Sequence, residues 1–401
     1  MAGRGKIISG LRKIIVWYFS FMLVLLFIFS LQYWKIEVFY KEKNTPFSGG
    51  YLYNPYKDYS KKTLKANFHA HSKAWLNLTN GAQEPDEIYR HYKNSGYDII
   101  SLSNYMKISR DMTSPDYIPV YEKGINIRKS HQLVIDSKKV TLPEFSLFQN
   151  YHTQQQVLNK LRLNGGLIAL AHPDLMKGYK EEDMKYLKGY DFIEVLNNYK
   201  TSLNIWDAAL SSGNPAWILA DDDCHDINRP GCSFNNWTRI GTSVQAKGEI
   251  LNALERGCHY GVRNPDHNET NFLDSCVVKN NDLRVYFREK TDRIAFISDN
   301  GAVRKEVFNE TFAIYKIEQT DSYVRVEAKT GDELIYLNPI IRYNGYQLTR
   351  NNDYAMVNSN LTIFFRFLAL ILSFSILLLI LILNRKCPYI NHPVFRKDAC
   401  Q

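Results

Sequence analysis

Two histidines with one residue between them, His69 and His71, end a run with the alternating pattern of a strand, 65–71. Alternate side chains of a strand point to the same face, so the two imidazoles are expected to lie side by side. Such a pair can form half of a metal site, because imidazole nitrogens are common ligands of divalent transition metals. Taken alone, the same spacing is equally typical of two unrelated surface histidines.

More histidines and acids fall at or near the ends of the strand-like runs that follow. They are Glu144, His152, His172, Glu194, Asp223 and His225. Glu194 interrupts an otherwise apolar run, where a carboxylate without a partner would be costly to bury, whereas the acids at 221–226 are also typical of a solvated turn. Because strand ends converge on one face of a βα barrel, the sequence predicts one shared site. Mixed histidine and carboxylate ligands suit Zn, Mn or Fe.

The elements that would position these residues change character once along the chain. Between about 65 and 260, short apolar runs alternate with amphipathic stretches, the pattern of parallel βα units in a doubly wound sheet or a barrel. From about 277 to 348 the helical period is absent, and strand-like runs are separated by turns such as 299–301 and 330–332. We expect a small antiparallel β unit there, packed on the barrel.

Two uncharged apolar runs, 14–34 and 367–384, are each long enough to cross a bilayer as a helix. The first has a longer apolar stretch than a signal peptide and no small-residue cleavage site after it, so a retained anchor is expected. Basic residues lie on the outer flank of both runs: Arg4, Lys6, Arg12, Lys13, Arg385, Lys386, Arg396 and Lys397. By the positive-inside rule, both termini are cytoplasmic, and residues 35 to about 362 lie outside.

Charge and cysteine content narrow the class further. The formal net charge is +9, but the basic residues are scattered or lie beside the apolar runs, so no specific nucleic-acid partner is expected. The outer segment has four cysteines, at 224, 232, 258 and 276, without the CxxC spacing of a zinc knuckle. Four cysteines allow three pairings, and the sequence does not choose among them.

The order of the motifs resembles the polymerase and histidinol phosphatase (PHP) family of metal-dependent phosphoesterases. The shared features are the HxH pair, an acid after a strand, the run 165–173, the acid-containing strand 191–196 and the final Asp-x-His turn. The resemblance covers about residues 65–260, and the stretch 336–341 resembles the β unit that follows the barrel in one branch of the family. It implies an α/β fold, a distorted (β/α)7-type barrel with a small C-terminal antiparallel β unit, here flanked by two transmembrane helices.

Matched motif by motif, the resemblance also implies metal ligands. They are the first metal pair His69 and His71, the bridging Glu144, the second-metal ligands His152 and His172, and the closing pair Asp223 and His225. The chain departs from the family at 103–105, where Ser-Asn-Tyr replaces Thr-Asp-His, and at 79–81, where Thr-Asn-Gly replaces Ser-Asp-Gly. Because these departures fall mainly on the third metal site, two divalent ions are expected.

The predicted organisation follows from these patterns. The segments are a cytoplasmic N-terminus (1–13), a transmembrane helix (14–34), a linker (35–60), a PHP-like catalytic barrel (61–276), a β-rich accessory unit (277–350), a second transmembrane helix (363–384) and a cytoplasmic tail (385–401).

The favoured function is hydrolysis of a small-molecule phosphoester, monoester or diester, by a metal-activated water outside the cytoplasm. The expected catalytic residues are Asp223 and His225, with His225 protonating the leaving oxygen, and the expected substrate-binding residues are Arg239, Arg263 and Glu194. A metal-activated water could equally attack a carboxyl or carbamoyl ester. A further alternative is a catalytically degenerate binding or scaffold module, because Asn104 and Tyr105 replace family ligands. The oligomeric state stays open.

Overall fold

The computed structural model describes residues 2–79, 81–109, 117–142, 148–267, 269–346 and 354–385. Within them the helices are α1 (Ala2–Leu31), α2 (Pro85–Asn94), α3 (Tyr151–Leu163), α4 (Glu181–Met184), α5 (Leu203–Ser211), α6 (Lys247–Glu255) and α7 (Ser359–Arg385). The strands are β1 (Tyr51–Tyr53), β2 (Leu64–Asn67), β3 (Ile99–Ile100), β4 (Val120–Lys123), β5 (His131–Ile135), β6 (Leu167–Ala171), β7 (Phe192–Leu196), β8 (Trp217–Ala220), β9 (Asn236–Ile240), β10 (His259–Arg263), β11 (Leu273–Lys279), β12 (Asp282–Ser298), β13 (Ala302–Lys316), β14 (Tyr323–Thr330) and β15 (Glu333–Tyr343).

The chain divides into two units, a helical unit (Met1–Val38 with Val357–Gln401) and a mixed α/β body (Phe39–Met356). The helical unit contains two spans, Ile14–Lys35 and Ser359–Leu383, with mean hydropathies of 2.6 and 2.8. This confirms the prediction of two helices long and apolar enough to cross a membrane.

The two helices of the helical unit run antiparallel. The Ser30 and Ser373 hydroxyls lie 2.6 Å apart, and the Val38 N–H donates to Thr362 Oγ1 at 3.0 Å. Residue numbers thus rise along the first segment while those of their partners in the second segment fall. Hydroxyls that bond to each other in this way add a polar contact between two otherwise apolar helices.

The body contains a five-stranded sheet in the order β4-β5-β6-β7-β8. Strands β6, β7 and β8 are parallel, whereas β5 pairs antiparallel with both β4 and β6. Every residue of β6, β7 and β8 is buried, as expected for parallel strands covered on both faces. Helices α4 and α5 are the crossovers between these parallel strands, in agreement with the predicted βα pattern.

A second, larger sheet has the order β11-β12-β14-β15-β10-β9-β2-β3, with β1 added to β15 and β13 to β12. It is antiparallel except for the β2–β3 pair. The β-rich segment predicted after the barrel is therefore present, and β15 pairs with β10, so that the segment shares one sheet with strands predicted for the barrel.

The predicted closed barrel is not confirmed, because the described strands form two sheets rather than one continuous ring. Single parallel bridges join Ala70, which follows β2, to Cys224, which follows β8, and Tyr105 to Glu122 of β4. These bridges bring the ends of the two sheets together without extended pairing. The antiparallel hairpin β4–β5 is the main departure from a regular βα repeat.

Candidate metal centre

Seven histidine and carboxylate residues meet where the two sheets come together. We call them the metal cluster: His69, His71, Glu122, His131, His172, Asp223 and His225. They form four overlapping groups, and within each group one ligand atom per residue lies within 4.8 Å of the others. Most of these residues follow the end of a strand, as the strand-end argument predicts, and His225 is the most exposed, at 14% of its side chain.

Glu122 lies at the middle of the metal cluster, with its two oxygens facing different histidine pairs. Its Oε1 is 2.5 Å from His131 Nδ1 and 3.2 Å from His172 Nε2. Its Oε2 is 3.3 Å from His71 Nε2 and 3.6 Å from His69 Nε2. A carboxylate placed in this way can bridge two cations a few ångströms apart.

Asp223 closes the cluster on the side of β8. Its Oδ1 is 3.1 Å from His69 Nε2, 3.2 Å from His71 Nε2 and 3.3 Å from His225 Nε2. Its other oxygen accepts a hydrogen bond from Asn197 Nδ2 at 3.3 Å. One carboxylate oxygen thus faces three imidazole nitrogens.

The backbone is strained at two members of the cluster. His172 has φ 29° and Asp223 has φ 53°, in the left-handed region that residues other than glycine seldom adopt. His172 directly follows β6 and Asp223 comes shortly after the end of β8, so the unusual backbone conformation occurs just beyond the strands that lead to these ligands. Strain of this kind persists where the surrounding structure fixes it, and it is concentrated at functional sites.

Glu194 of β7 lies behind the cluster and is fully buried. Its Oε1 is 2.8 Å from His69 Nδ1, and its Oε2 accepts the His172 N–H at 2.6 Å. A carboxylate on the far nitrogen of an imidazole fixes the ring so that the other nitrogen can bind a metal. This position is that of an orienting group, whereas the sequence analysis predicts that Glu194 contacts substrate.

The unsatisfied atoms of the cluster fit a bound cation. Glu122 Oε2 and Asp223 Oδ1 are buried and accept no hydrogen bond, and the Nδ1 atoms of His71, His172 and His225 are also without a partner among the described residues. Buried polar atoms are almost always paired, because leaving them unpaired is costly. Mixed imidazole and carboxylate donors suit a divalent transition metal, which would satisfy the carboxylate oxygens. The residues present therefore form a cluster capable of holding a metal.

The electrostatics of the cluster also favour a cation. Burial by itself lowers the pKa of His69, His71 and His172, but the neighbouring carboxylates Asp223 and Glu122 outweigh it and raise each pKa above the ordinary value. Burial by itself raises the pKa of Glu122 and Asp223, but the surrounding imidazoles hold both well below the usual range. A metal ion would take the place of the protons that these carboxylates retain on the histidines.

One predicted ligand, His152, is not part of the cluster. His152 lies in the first turn of α3, where its Nδ1 accepts the Phe39 N–H at 3.2 Å. The strand-end argument does not apply to it, because the Asn150 side chain caps a helix at this point by accepting from the N–H groups of His152 and Thr153. Glu144, predicted as the bridging carboxylate, lies outside the described residues.

The two predicted substrate-binding arginines have partners elsewhere. Arg239 forms a two-pronged ion pair with Glu269, with its Nε 2.7 Å from Glu269 Oε1. Arg263 donates from Nη1 to Thr201 Oγ1 at 2.9 Å. Neither belongs to the metal cluster.

Two members of the cluster, Glu122 and His131, were missed at the level of sequence. Glu122 is an acid in a short strand that is buried at every position, and His131 begins the next buried strand. An acid within an apolar run is the same signal that identified Glu194. The signal is weak here because β4 has only four residues and pairs antiparallel with β5, which the βα pattern does not predict.

Asn104 and Tyr105, which replace family ligands, pack beside the cluster. The Asn104 side chain accepts the Ser72 N–H at 2.8 Å and donates to the hydroxyls of Ser72 and Ser109. The Tyr105 ring stacks on that of His71, with centroids 4.7 Å apart. The two residues support the loop that carries His71.

Comparison with solved structures gives several matches. One of them is a two-domain protein from Bacteroides vulgatus containing a predicted PHP-like metal-dependent phosphoesterase, 13% identical, with the match covering 79% of this chain and 99% of that chain at a TM-score of 0.39. No protein-family profile and no curated protein matches the chain.

Proposed function

We propose that this protein is a metal-dependent hydrolase that cleaves phosphoesters, with two divalent ions held by the metal cluster. The observation that carries the proposal is the Glu122 carboxylate, whose two oxygens face separate histidine pairs. One ion would be held by His69, His71, Glu122 and Asp223, and the other by Glu122, His131 and His172. Such ions supply Lewis acidity, which makes water a nucleophile at neutral pH and offsets charge on a phosphoryl group.

The residues of the chain have distinct proposed roles around these ions. Glu194 orients the His69 ring from behind through its 2.8 Å contact with Nδ1. His225 is assigned to proton transfer at the leaving oxygen, because it is the most exposed member of the cluster and its Nδ1 has no partner among the described residues. Asp223 positions His225 through the 3.3 Å contact of its Oδ1.

The proposed location is a membrane crossed twice, with the body on the outer side. It is supported by the two apolar helices and by the basic residues on the outer flank of each apolar run. The substrate would then be a small extracytoplasmic phosphoester.

One observation favours a second candidate, hydrolysis of a carboxyl or carbamoyl ester by the same cluster. Arg239, expected to neutralise a phosphate, is already paired with Glu269 and is 13% exposed at its side chain. An uncharged ester needs no such cation, and a metal-activated water can attack it equally.

The deciding experiment combines elemental analysis with turnover on the full-length protein in detergent. The substrates are p-nitrophenyl phosphate, bis-p-nitrophenyl phosphate and p-nitrophenyl acetate, and the variants are Glu122→Gln and Glu333→Gln. Glu333 is the matched control, a buried carboxylate outside the cluster that accepts hydrogen bonds from Thr270 and Asn271.

We expect close to two ions per chain and turnover of one phosphate substrate. Glu122→Gln should lower kcat by about 10²–10³-fold, the scale seen when one preorganised charge-stabilising group is removed, and Glu333→Gln should retain metal and turnover. Turnover of the acetate alone would support the second candidate. Less than one ion per folded chain after supplementation with Zn and Mn would contradict both hydrolase candidates. It would favour the alternative of a catalytically degenerate binding module.

A further inference from the structure

The structure brings together two of the four cysteines in the described part of the chain. The Sγ atoms of Cys224 and Cys232 lie 2.7 Å apart. A disulfide bond is about 2.05 Å long, so the pair is close to bonding distance. Cys258, by contrast, has the carbonyl oxygen of Gly241 as its neighbour at 3.7 Å, and Cys276 is buried among apolar side chains.

Each cysteine is fixed by contacts that do not involve the other. The Cys224 carbonyl accepts the His71 N–H at 2.8 Å, and a parallel bridge joins its backbone to Ala70. The Cys232 carbonyl accepts from Asn198 Nδ2 at 2.8 Å, and its N–H donates to the Arg229 carbonyl at 3.1 Å. The short distance between the sulfurs is therefore imposed by the fold around them.

Asp222 reinforces this arrangement from the residue before the ligand Asp223. Its carboxylate accepts the N–H groups of Phe234, Asn235 and Asn236 at 2.7–3.0 Å and the Tyr92 hydroxyl at 2.8 Å. The segment after Cys232 is thereby held against the end of β8, and residues 225–231 form a loop whose two ends cannot separate without breaking these bonds.

We propose that Cys224 and Cys232 form a disulfide that closes the loop 225–231, which carries His225 of the metal cluster. The co-reactant is a small disulfide such as oxidised glutathione. Cys224 is 1% exposed and Cys232 is partly exposed, so the Cys232 sulfur attacks the oxidant and releases one thiol. The Cys224 sulfur then attacks Cys232 Sγ of the mixed disulfide, its proton passes to solvent, and the second thiol leaves.

The reaction balances as two protein thiols and one small disulfide giving one protein disulfide and two small thiols. Neither step uses a metal or substrate, so the inference is independent of the proposed hydrolase activity.

The test is peptide mapping of the full-length protein after equilibration with reduced and oxidised glutathione. The protein is quenched with acid, unfolded and alkylated. Arg229 is followed by Pro230, where trypsin does not cut, so both cysteines remain in the peptide 201–239. We expect this peptide to be two hydrogen atoms lighter and free of alkyl groups, and to gain two alkyl groups when it is reduced first.

Two variants act as controls. In Cys232→Ser the peptide should carry one alkyl group or one glutathione on Cys224 and no mass loss, and in Cys276→Ser the mass loss should be retained. Two alkyl groups on the oxidised wild-type peptide would overturn the proposal. So would a stable glutathione adduct on Cys232, or a cross-link from either residue to Cys258 or Cys276.

Discussion

Two clusters of buried charge in the body, one around Arg325 and the other the metal cluster, differ in how the charge is neutralised. In the first, Arg325 donates to both carboxylate oxygens of Asp207 at 2.7 and 2.8 Å and to Glu327 at 2.6 Å. The Tyr323 hydroxyl adds a bond to Asp207 at 3.0 Å, and the guanidinium lies over the Trp206 ring. In the metal cluster, by contrast, Glu122 Oε2 and Asp223 Oδ1 accept no hydrogen bond from the residues that the structure describes.

This difference separates a cluster whose charges the chain itself pairs from one that is capable of holding a metal. Both clusters are buried, and both contain a group whose pKa is raised above its ordinary value, Arg325 in one and His69 in the other, so burial and pKa alone do not distinguish them. The distinguishing feature is whether each buried carboxylate is paired with a donor or cation of the protein itself. The Asp207 carboxylate and the Arg325 guanidinium neutralise each other. In the metal cluster, carboxylate oxygens and imidazole nitrogens face one another, and a cation between them would stabilise this arrangement.

The largest expected effect concerns the satisfied cluster. Asp207→Asn should lower the free energy of unfolding of the body by about 3–5 kcal/mol, because it leaves the buried Arg325 charge without its partner. Thermal unfolding of the full chain in detergent measures this. Metal content per folded chain should stay at the wild-type value, and loss of metal from this variant would contradict the separation of the two clusters.

The control for that variant is an exposed ion pair. Arg284 and Asp282 are 39% and 31% exposed at their side chains, with Arg284 Nη2 3.2 Å from Asp282 Oδ2. Asp282→Asn should change stability by less than about 1 kcal/mol, because solvent screens such pairs.

A lone buried histidine extends the comparison to pH. His259 bonds through Nε2 to the Ile218 carbonyl at 2.8 Å, and burial lowers its pKa to about 4. Because the folded pKa lies below the unfolded value of about 6.5, the unfolded state takes up the proton first. The stability contributed by neutral His259 is present above about pH 6.5 and is lost as the pH falls toward 4, by about 1.4 kcal/mol per unit and about 3 kcal/mol in all.

The measurement is the unfolding free energy of wild type and His259→Gln between pH 7 and pH 4. The difference between the two proteins should shrink as the pH falls. A constant difference would show that His259 does not titrate in this range.

Metal should stabilise the body through the unsatisfied cluster. A divalent ion at about 100 times its dissociation constant stabilises the folded state by about 2.7 kcal/mol, so treatment with a chelator should lower the unfolding temperature. The shift should persist in Asp207→Asn and disappear in Glu122→Gln. If the chelator lowered the unfolding temperature of Glu122→Gln as much as that of the wild type, the ion would be bound outside the metal cluster.

The smallest expected effect is at the orienting carboxylate. Glu194→Gln places an amide beside His69 Nδ1 and should weaken metal binding about 10–100-fold, the usual cost of losing a partner behind a metal-bound imidazole. Metal titration by calorimetry measures the change, with Glu333→Gln as the unchanged reference. If Glu194→Gln left the affinity within twofold of wild type, the orienting role would be wrong.

The sequence predicts the cluster residues that follow parallel strands better than those that belong to antiparallel strands. Strand ends identified His69, His71, His172, Asp223 and His225, all of which the structure brings into one cluster. Glu122 and His131 were missed because they belong to an antiparallel hairpin whose direction the βα period does not encode. His152 was misplaced because its neighbours form a capped helix rather than a strand end.

The same limit applies to the fold. Uniformly apolar runs predicted the two long helices, because length and hydropathy are local properties of the sequence. The pairing of β15 with β10, by contrast, depends on contacts between residues about 75 apart along the chain, such as Tyr260 with Leu337. No local pattern specifies such a pairing.

The chain enters and leaves the body at neighbouring points. The Tyr40 N–H donates to the Met356 carbonyl at 3.0 Å within the body, and the Asn358 N–H donates to the Val38 carbonyl at 2.7 Å within the helical unit. In chain order the body is therefore inserted between the two helices, and ends that lie close together are what makes such an insertion tolerable. During evolution, the body could be exchanged for another domain without moving the helix ends to which it is joined, and the helices could be exchanged without moving the ends of the body.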